Sequence, residues 1–269
     1  MTDYLDEIVA YKRSHRSQPV PDLERRVASA PEPRPFLDVL GTYRTVVIAE
    51  SKKASPSRGV LTENYDPIKL AALYQEAAAA AISVLTDERF FQGSMADLEA
   101  VRATVEIPVL RKDFTLDHQD LLEARAAGAD MVLLIARILS REQLRDLLNE
   151  ASDLGMDALV EIHDQADVDS ALNTGARLIG INNRDLSTFD IDLAVTERLI
   201  QEIPSQIAVV SESGIFSGND VARLREIGVR AVLVGEALIR ADDPAALLRE
   251  LVDAGCPDCW PRDESDRQA

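Results

Sequence analysis

Apolar residues gather into eight short, unbroken runs along the chain: TVVIAE (45–50), AAISVLT (80–86), IPVLRKD (107–113), ADMVLLIAR (129–137), DALVEIH (157–163), RLIGINNRD (177–185), IAVVSESG (207–214) and RAVLVGEA (230–237). The runs are continuous rather than alternating, as expected of parallel strands covered on both faces. Between them lie helical patterns of crossover length, with a strand-to-strand spacing of about 20 to 35 residues. Asp66-Pro67 opens one helix with proline at its first position, where the missing N–H costs nothing. Ser140 and Gln143 predict a capping box for another. Gly128, Gly155, Gly175 and Gly228 each follow a helical pattern and precede a strand, where a positive φ is needed.

Eight such units predict one closed (β/α)8, or TIM, barrel over residues 45–255. A doubly wound sheet would open with a Gly-rich fingerprint after its first strand, and none is present. Residues 1–44 predict short helices from Asp3 to Lys12, Pro21 to Ala28 and Pro35 to Leu40, an extension that packs on the barrel. The last stretch, 256–269, is polar and Pro-containing and predicts a disordered tail.

A length of 269 residues suits such a barrel, and 46% hydrophobic with 28% charged residues is an ordinary globular balance. The formal net charge of −18 argues against nucleic acid and anionic membrane surfaces as partners. An anionic substrate must therefore meet cations concentrated locally. No apolar run has bilayer-spanning length, and the acidic, amphipathic opening MTDYLDEIVAYKRS is unlike a secretory signal. Two cysteines, Cys256 and Cys259, cannot build a disulfide framework, so a reducing cytosol is the expected compartment. Their Cys-x-x-Cys spacing has no second pair to complete a zinc site, and His15, His118 and His163 show no metal or triad spacing. No metal or cofactor is expected. His163, two residues beyond Glu161, reads as a surface or supporting residue.

In a barrel of this kind the site forms at the C-terminal ends of the strands. The runs end in Glu50 with Lys52 beyond it, Arg111-Lys112-Asp113, Glu161, Asn182-Asn183-Arg184-Asp185, Glu212-Ser213-Gly214 and Gly235-Glu236. Charges embedded in apolar runs are costly unless paired or used. Lysines and glutamates converging on one rim can exchange protons while neutralising one another. Ser213-Gly214 and Gly235-Glu236 place small residues where backbone N–H groups can approach a phosphate, with Gly235 opening a short helix. Ser55-Pro56-Ser57, beside Lys52, predicts a loop closing over the ligand.

These motifs together resemble the indole-3-glycerol phosphate synthase family. The resemblance rests on IAESKKASPSRG (48–59), FFQGSMADLEAVR (90–102), PVLRKDF (108–114), ALVEIHD (158–164), IGINNRDL (179–186), ESGI (212–215) and LVGEAL (233–238), in order from the N-terminal helices to about Gly255. It implies conversion of 1-(2-carboxyphenylamino)-1-deoxyribulose 5-phosphate to indole-3-glycerol phosphate, CO2 and water, without metal or cofactor. Carried over, Lys112 is the general acid on the ribulose carbonyl, and Glu161 holds the anilino nitrogen and Lys112. Glu50 and Lys52 form a second acid–base pair, serving dehydration or binding the substrate carboxylate, and Asn182 orients the reacting groups. Phe114 falls among the substrate-binding residues, Arg184 supports the rim charges, and Glu212 contacts substrate hydroxyl groups. Ser55, Ser213, Gly214, Gly235 and Glu236 surround the phosphate. A cytosolic monomer or weak homo-oligomer acting on a small phosphorylated molecule is expected.

Ser51, Ser211 and His118 depart from the family pattern, standing where a larger apolar residue, alanine and tyrosine are usual. A related phosphosugar isomerase barrel is the nearest rival, but it would need Asp/Cys or paired Asp where Glu50, Lys112 and Glu161 stand. A non-catalytic phosphate-binding barrel would have lost Lys112 or Glu161.

Overall fold

The computed structural model describes residues 4–15, 21–41, 44–56, 58–185 and 188–256. Eight parallel strands close into a barrel. They are β1 (Val46–Ser51), β2 (Ala81–Leu85), β3 (Val109–Lys112), β4 (Met131–Ile135), β5 (Asp157–Ile162), β6 (Leu178–Asn182), β7 (Ala208–Glu212) and β8 (Ala231–Val234). Each pairs with its sequence neighbour, and closure comes where β1 lies between β2 and β8, with Ile48 opposite both Ala81 and Leu233. The strands are shorter than the apolar runs. In 129–137, for example, residues after Ile135 turn into a 3-10 helix, Ala136–Ile138.

Alternation along each strand divides the apolar residues into two layers. Ile48, Leu110, Leu133, Leu159, Val210 and Leu233 fill the barrel interior. Val47, Val84, Val132, Val160, Ile179 and Val232 face the surrounding helices. The crossovers are α3 (Pro67–Glu76), α4 (Met95–Thr104), α5 (His118–Ala126), α6 (Arg141–Asp153), α7 (Gln165–Asn173), α8 (Ala194–Leu199) and α9 (Gly218–Glu226), and the chain ends with α10 (Glu236–Arg240) and α11 (Pro244–Gly255). The Asp66 side chain caps the Pro67 helix, and Ser140 with Gln143 forms the expected capping box. Gly128, Gly155, Gly175 and Gly228 all have positive φ. No helix among the described residues is long and apolar enough to cross a membrane.

Ahead of the barrel come α1 (Tyr4–Ser14) and α2 (Leu23–Ser29). The third expected helix, over 35–40, is only a 3-10 turn, Leu37–Val39. Tertiary packing overrides the local pattern there: Phe36 is fully buried within the interior layer, and Leu37 N donates to Asp157 Oδ2 at the entrance to β5. Asp130, just before β4, is likewise fully buried and accepts from Arg34 N and Val109 N, each at 2.8 Å. Arg102 lies 3.2 Å from the same carboxylate, and its Nη2 donates to Glu32 O. The segment before β1 is thereby tied across the end of the barrel where the strands begin. Residues 257–269, including Cys259, lie outside the described residues.

Candidate active site

The alternation that fills the interior also sets the chemistry at its open end. Two residues beyond inward-facing Ile48, Leu110, Leu159 and Val210 stand Glu50, Lys112, Glu161 and Glu212. Asn182 takes the same place on β6, and Gly235 the place beyond Leu233. All of them line one open cavity with Lys52, Ser55, Phe114, Arg184, Ser213, Gly214 and Glu236. Every residue given a catalytic or substrate-binding role from the sequence thus lines one cavity, although Ser57 falls outside the described residues.

The same parity separates neighbours that the sequence presents together. Arg111 is buried away from the cavity, donating to Thr86 Oγ1 and to Asp120 O, and lies 3.4 Å from Asp113. Asn183 is buried too, donating to Ser211 Oγ and the Glu212 carbonyl while its own side-chain oxygen accepts from Thr196. Ser211 is therefore a satisfied member of a polar cluster outside the barrel. Ser51 similarly shares a 2.8 Å hydrogen bond with Tyr65 Oη.

At the centre, Lys112 Nζ donates to Glu161 Oε2 at 3.0 Å and lies 3.3 Å from Glu212 Oε2. Burial alone would strip the proton from this lysine, but Glu161, Glu212 and Glu50 together push its pKa above the ordinary value. The carboxylates respond unequally. Burial opposes ionisation of Glu161, yet Lys112 and the neighbouring His163 hold it well below the usual range. Burial, helped by Glu161 and Glu50, pushes Glu212 up to about 7 against the pull of Lys112. Asn182 Nδ2 donates to Glu161 Oε1 at 3.3 Å, and Asn182 Oδ1 accepts from Ser213 Oγ and Arg184 N. A second pair stands on β1, where Lys52 Nζ donates to Glu50 Oε1 at 2.5 Å.

A raised carboxyl pKa has a defined effect on stability. Below the unfolded value near 4.5 both states are protonated; as pH rises to about 7 the unfolded chain loses the proton that folded Glu212 retains. Stability is therefore lost across that window, by an amount on the order of 3 kcal/mol. Glu212→Gln should remove the penalty. Its Tm relative to wild type is expected to rise between pH 4.5 and 8, by roughly 6–12 °C, as read by thermal unfolding at several pH values; a constant offset would contradict the assignment.

Glu212 Oε1 is buried without a hydrogen-bond partner and faces Gly180, where an added Cβ would collide with it and press on Leu159. Gly180→Ala is expected to displace the carboxylate and lower kcat roughly 100-fold while the chain stays folded; unchanged turnover in a steady-state assay would refute this.

Ser213 and Gly214 both have positive φ, and a Cβ on Gly214 would strike Ile191. Gly235 precedes the short helix α10, as expected, and a Cβ there would collide with Glu50. The Glu236 side chain lies 3.3 Å from Arg184 Nη2 and 3.4 Å from Arg58 Nε. This side of the cavity offers backbone N–H groups, a hydroxyl and guanidinium charge to an anion.

Leu5, Ile8 and Lys12 were not among the candidates from sequence. Leu5 and Ile8 line the cavity from α1, and Lys12 lies 2.5 Å from Asp113 and 3.2 Å from Asp87. Lys12 also sits 5.9 Å from the Phe114 ring centre. The apolar spacing of Leu5, Ile8 and Val9 was the available signal, but it does not say which surface covers that face.

Comparison with known proteins agrees with this geometry. The family model for indole-3-glycerol phosphate synthase matches residues 4–251. The indole-3-glycerol phosphate synthase of Parafrankia sp. is 49% identical over 233 residues, spanning 87% of each chain. That of Roseiflexus castenholzii is 48% identical, covering 93% of this chain and 98% of its own. Among solved structures, a 3-hexulose-6-phosphate synthase superposes with a TM-score of 0.63 at 16% identity, covering 78% of this chain and 99% of that one, a likeness of fold. The chain belongs to the indole-3-glycerol phosphate synthase family.

Proposed function

We propose that this protein converts 1-(2-carboxyphenylamino)-1-deoxyribulose 5-phosphate to indole-3-glycerol phosphate, the ring-closing, decarboxylating and dehydrating step that supplies the indole nucleus for tryptophan. The observation that carries the reading is Lys112, buried between Glu161 and Glu212 at the open end of the barrel, with the separate Lys52–Glu50 pair on β1.

Ring closure joins the carboxyl-bearing aromatic carbon to the ribulose carbonyl carbon, whose oxygen gains negative charge and needs a proton. Lys112 delivers it; the lysine is an effective donor because the flanking carboxylates keep it charged and aimed. Electrons drawn from the anilino nitrogen leave an iminium, which is the sink for the pair released when CO2 departs, so no metal or cofactor is needed. Dehydration then takes a proton from the ring CH2 while the hydroxyl leaves as water, which calls for an acid and a base on opposite faces. The two Lys/Glu pairs meet that need. Glu161 receives the anilino nitrogen and keeps Lys112 oriented, Asn182 aligns the reacting groups, and Glu212 meets substrate hydroxyls. Ser55, Ser213, Gly214, Gly235 and the Glu236 backbone hold the phosphate. Phe114 supplies an apolar face to the substrate, and Arg184 braces the rim charges.

We further read residues 45–255 as the catalytic barrel, 1–44 as an extension packed on it and 256–269 as a tail, in a cytosolic monomer or weak homo-oligomer. Purified protein mixed with the carboxyphenylamino-deoxyribulose phosphate, in buffer free of metal and cofactor, should develop indole fluorescence. Folded protein that produces none would refute the reading.

A further inference from the structure

His163 is a buried titratable group that the reaction as described does not use. Its side chain is 5% exposed, and neither ring nitrogen has a hydrogen-bond partner of good geometry. Each faces a carboxylate instead: Nε2 lies 3.3 Å from Glu161 Oε1, and Nδ1 lies 3.7 Å from Asp167 Oδ2 on α7. A neutral imidazole carries one N–H and one lone pair, so one of these carboxylates would face a lone pair. Only the imidazolium presents a proton to both.

The surroundings fit that state. Asp167 is fixed by accepting from His163 N at 2.9 Å, and Arg137, in the turn after β4, approaches the same oxygen at 3.5 Å and donates to Asp164 at 2.8 Å. Burial pushes the Asp167 carboxyl up, but His163 and Arg137 hold it below the ordinary range. On the cavity side, Glu161 Oε2 is engaged by Lys112, while Oε1 is shared between Asn182 and His163. The charged groups facing the ring are thus Glu161 from its own strand and Asp167 from α7, with Lys112 and Arg137 one contact further out.

We propose that His163 is a positioning residue: as an imidazolium bridging Asp167 and Glu161, it keeps the Glu161 carboxylate ionised and oriented when Lys112 gives up its proton. Without a second cation, Glu161 would be free to reclaim the proton as Lys112 turns to the substrate, and the acid would work against its own base. A surface or merely packing histidine has no such coupling.

The proposal rests on the reading of Glu161 and Lys112 given above, but its first test needs no substrate. The chain contains three histidines, so the ring signals can be followed by NMR and His163 assigned as the signal that remains in both His15→Gln and His118→Gln. Nitrogen shifts at neutral pH are expected to show both ring nitrogens of His163 protonated in the wild type, with that signature weakened in Glu161→Gln. A neutral ring in the wild type, or a ring state indifferent to Glu161→Gln, overturns the proposal. Because Glu161→Gln leaves His163 in place, the test survives a His163 variant that does not fold. With substrate, His163→Gln should lower kcat about tenfold with KM within twofold. The pH profile of kcat should differ in shape between wild type and His163→Gln. An unaltered pH profile would overturn the role. Failure to form any indole would instead count against the function while leaving the NMR result to stand.

Discussion

Lys112→Met is expected to lower kcat by about 1,000-fold or more while indole-3-glycerol phosphate binds within a few-fold of its wild-type affinity. The methionine keeps much of the length and apolar bulk of the lysine stem, so the interior layer around Leu110 and Leu159 loses little packing. What disappears is the only cation within 4 Å of both Glu161 Oε2 and Glu212 Oε2 among the described residues. Two buried carboxylates facing each other without it cannot both stay ionised, so the variant should take up a proton there. The loops at Ser213-Gly214 and Gly235, proposed above to hold the phosphate, lie on other strands than Lys112, which is why binding of product should persist. Steady-state indole fluorescence gives kcat, and equilibrium titration of product gives affinity. Turnover close to wild type would remove Lys112 from the chemistry.

The largest stability effect should come from the opposite end of the barrel. Asp130→Ala is expected to destabilise the fold by roughly 3–5 kcal/mol, with kcat in the surviving folded fraction within a few-fold of wild type. The fully buried Asp130 carboxylate satisfies Arg34 N and Val109 N and sits 3.2 Å from Arg102, itself 6% exposed. Its removal leaves a nearly buried guanidinium without its counter-charge and two backbone donors unpaired. Arg102 keeps the Gly128 and Glu32 carbonyls, which limits the loss. Urea unfolding measures the difference; a change under about 1 kcal/mol would show that water or rearrangement replaces the carboxylate.

The contrast between these two variants reflects what the sequence made legible. The strands were readable because both faces of each are covered, which forces unbroken apolar runs such as VLVG and MVLLI. Caps were readable because their chemistry is local: Asp66 before Pro67, Ser140 before Gln143. The rim was readable because charge after an apolar run is rare without a reason. That Lys112 faces the cavity while Arg111 turns away was not, because a shift of one residue exchanges inside for outside and pairing with β2 and β4 fixes it. The extension was the least legible part. Lys12 finds Asp87 and Asp113 only through the folded barrel, and the turn around Phe36 is shaped by strands far along the chain. His163 had no signal beyond its nearness to Glu161, since its second partner comes from the following helix.

The Phe36 segment also imposes an order of events during synthesis. Leu37 waits for Asp157, 120 residues further on, and Arg34 waits for Asp130, 96 residues on. At translation rates of about 5–20 residues per second, Leu37 is synthesised roughly 6–24 s before its partner. Throughout that interval a phenylalanine destined for complete burial has no native place to go. The end seal of the barrel is therefore a late event in the life of a nascent chain, and a segment made before any strand of the barrel is among the last to settle.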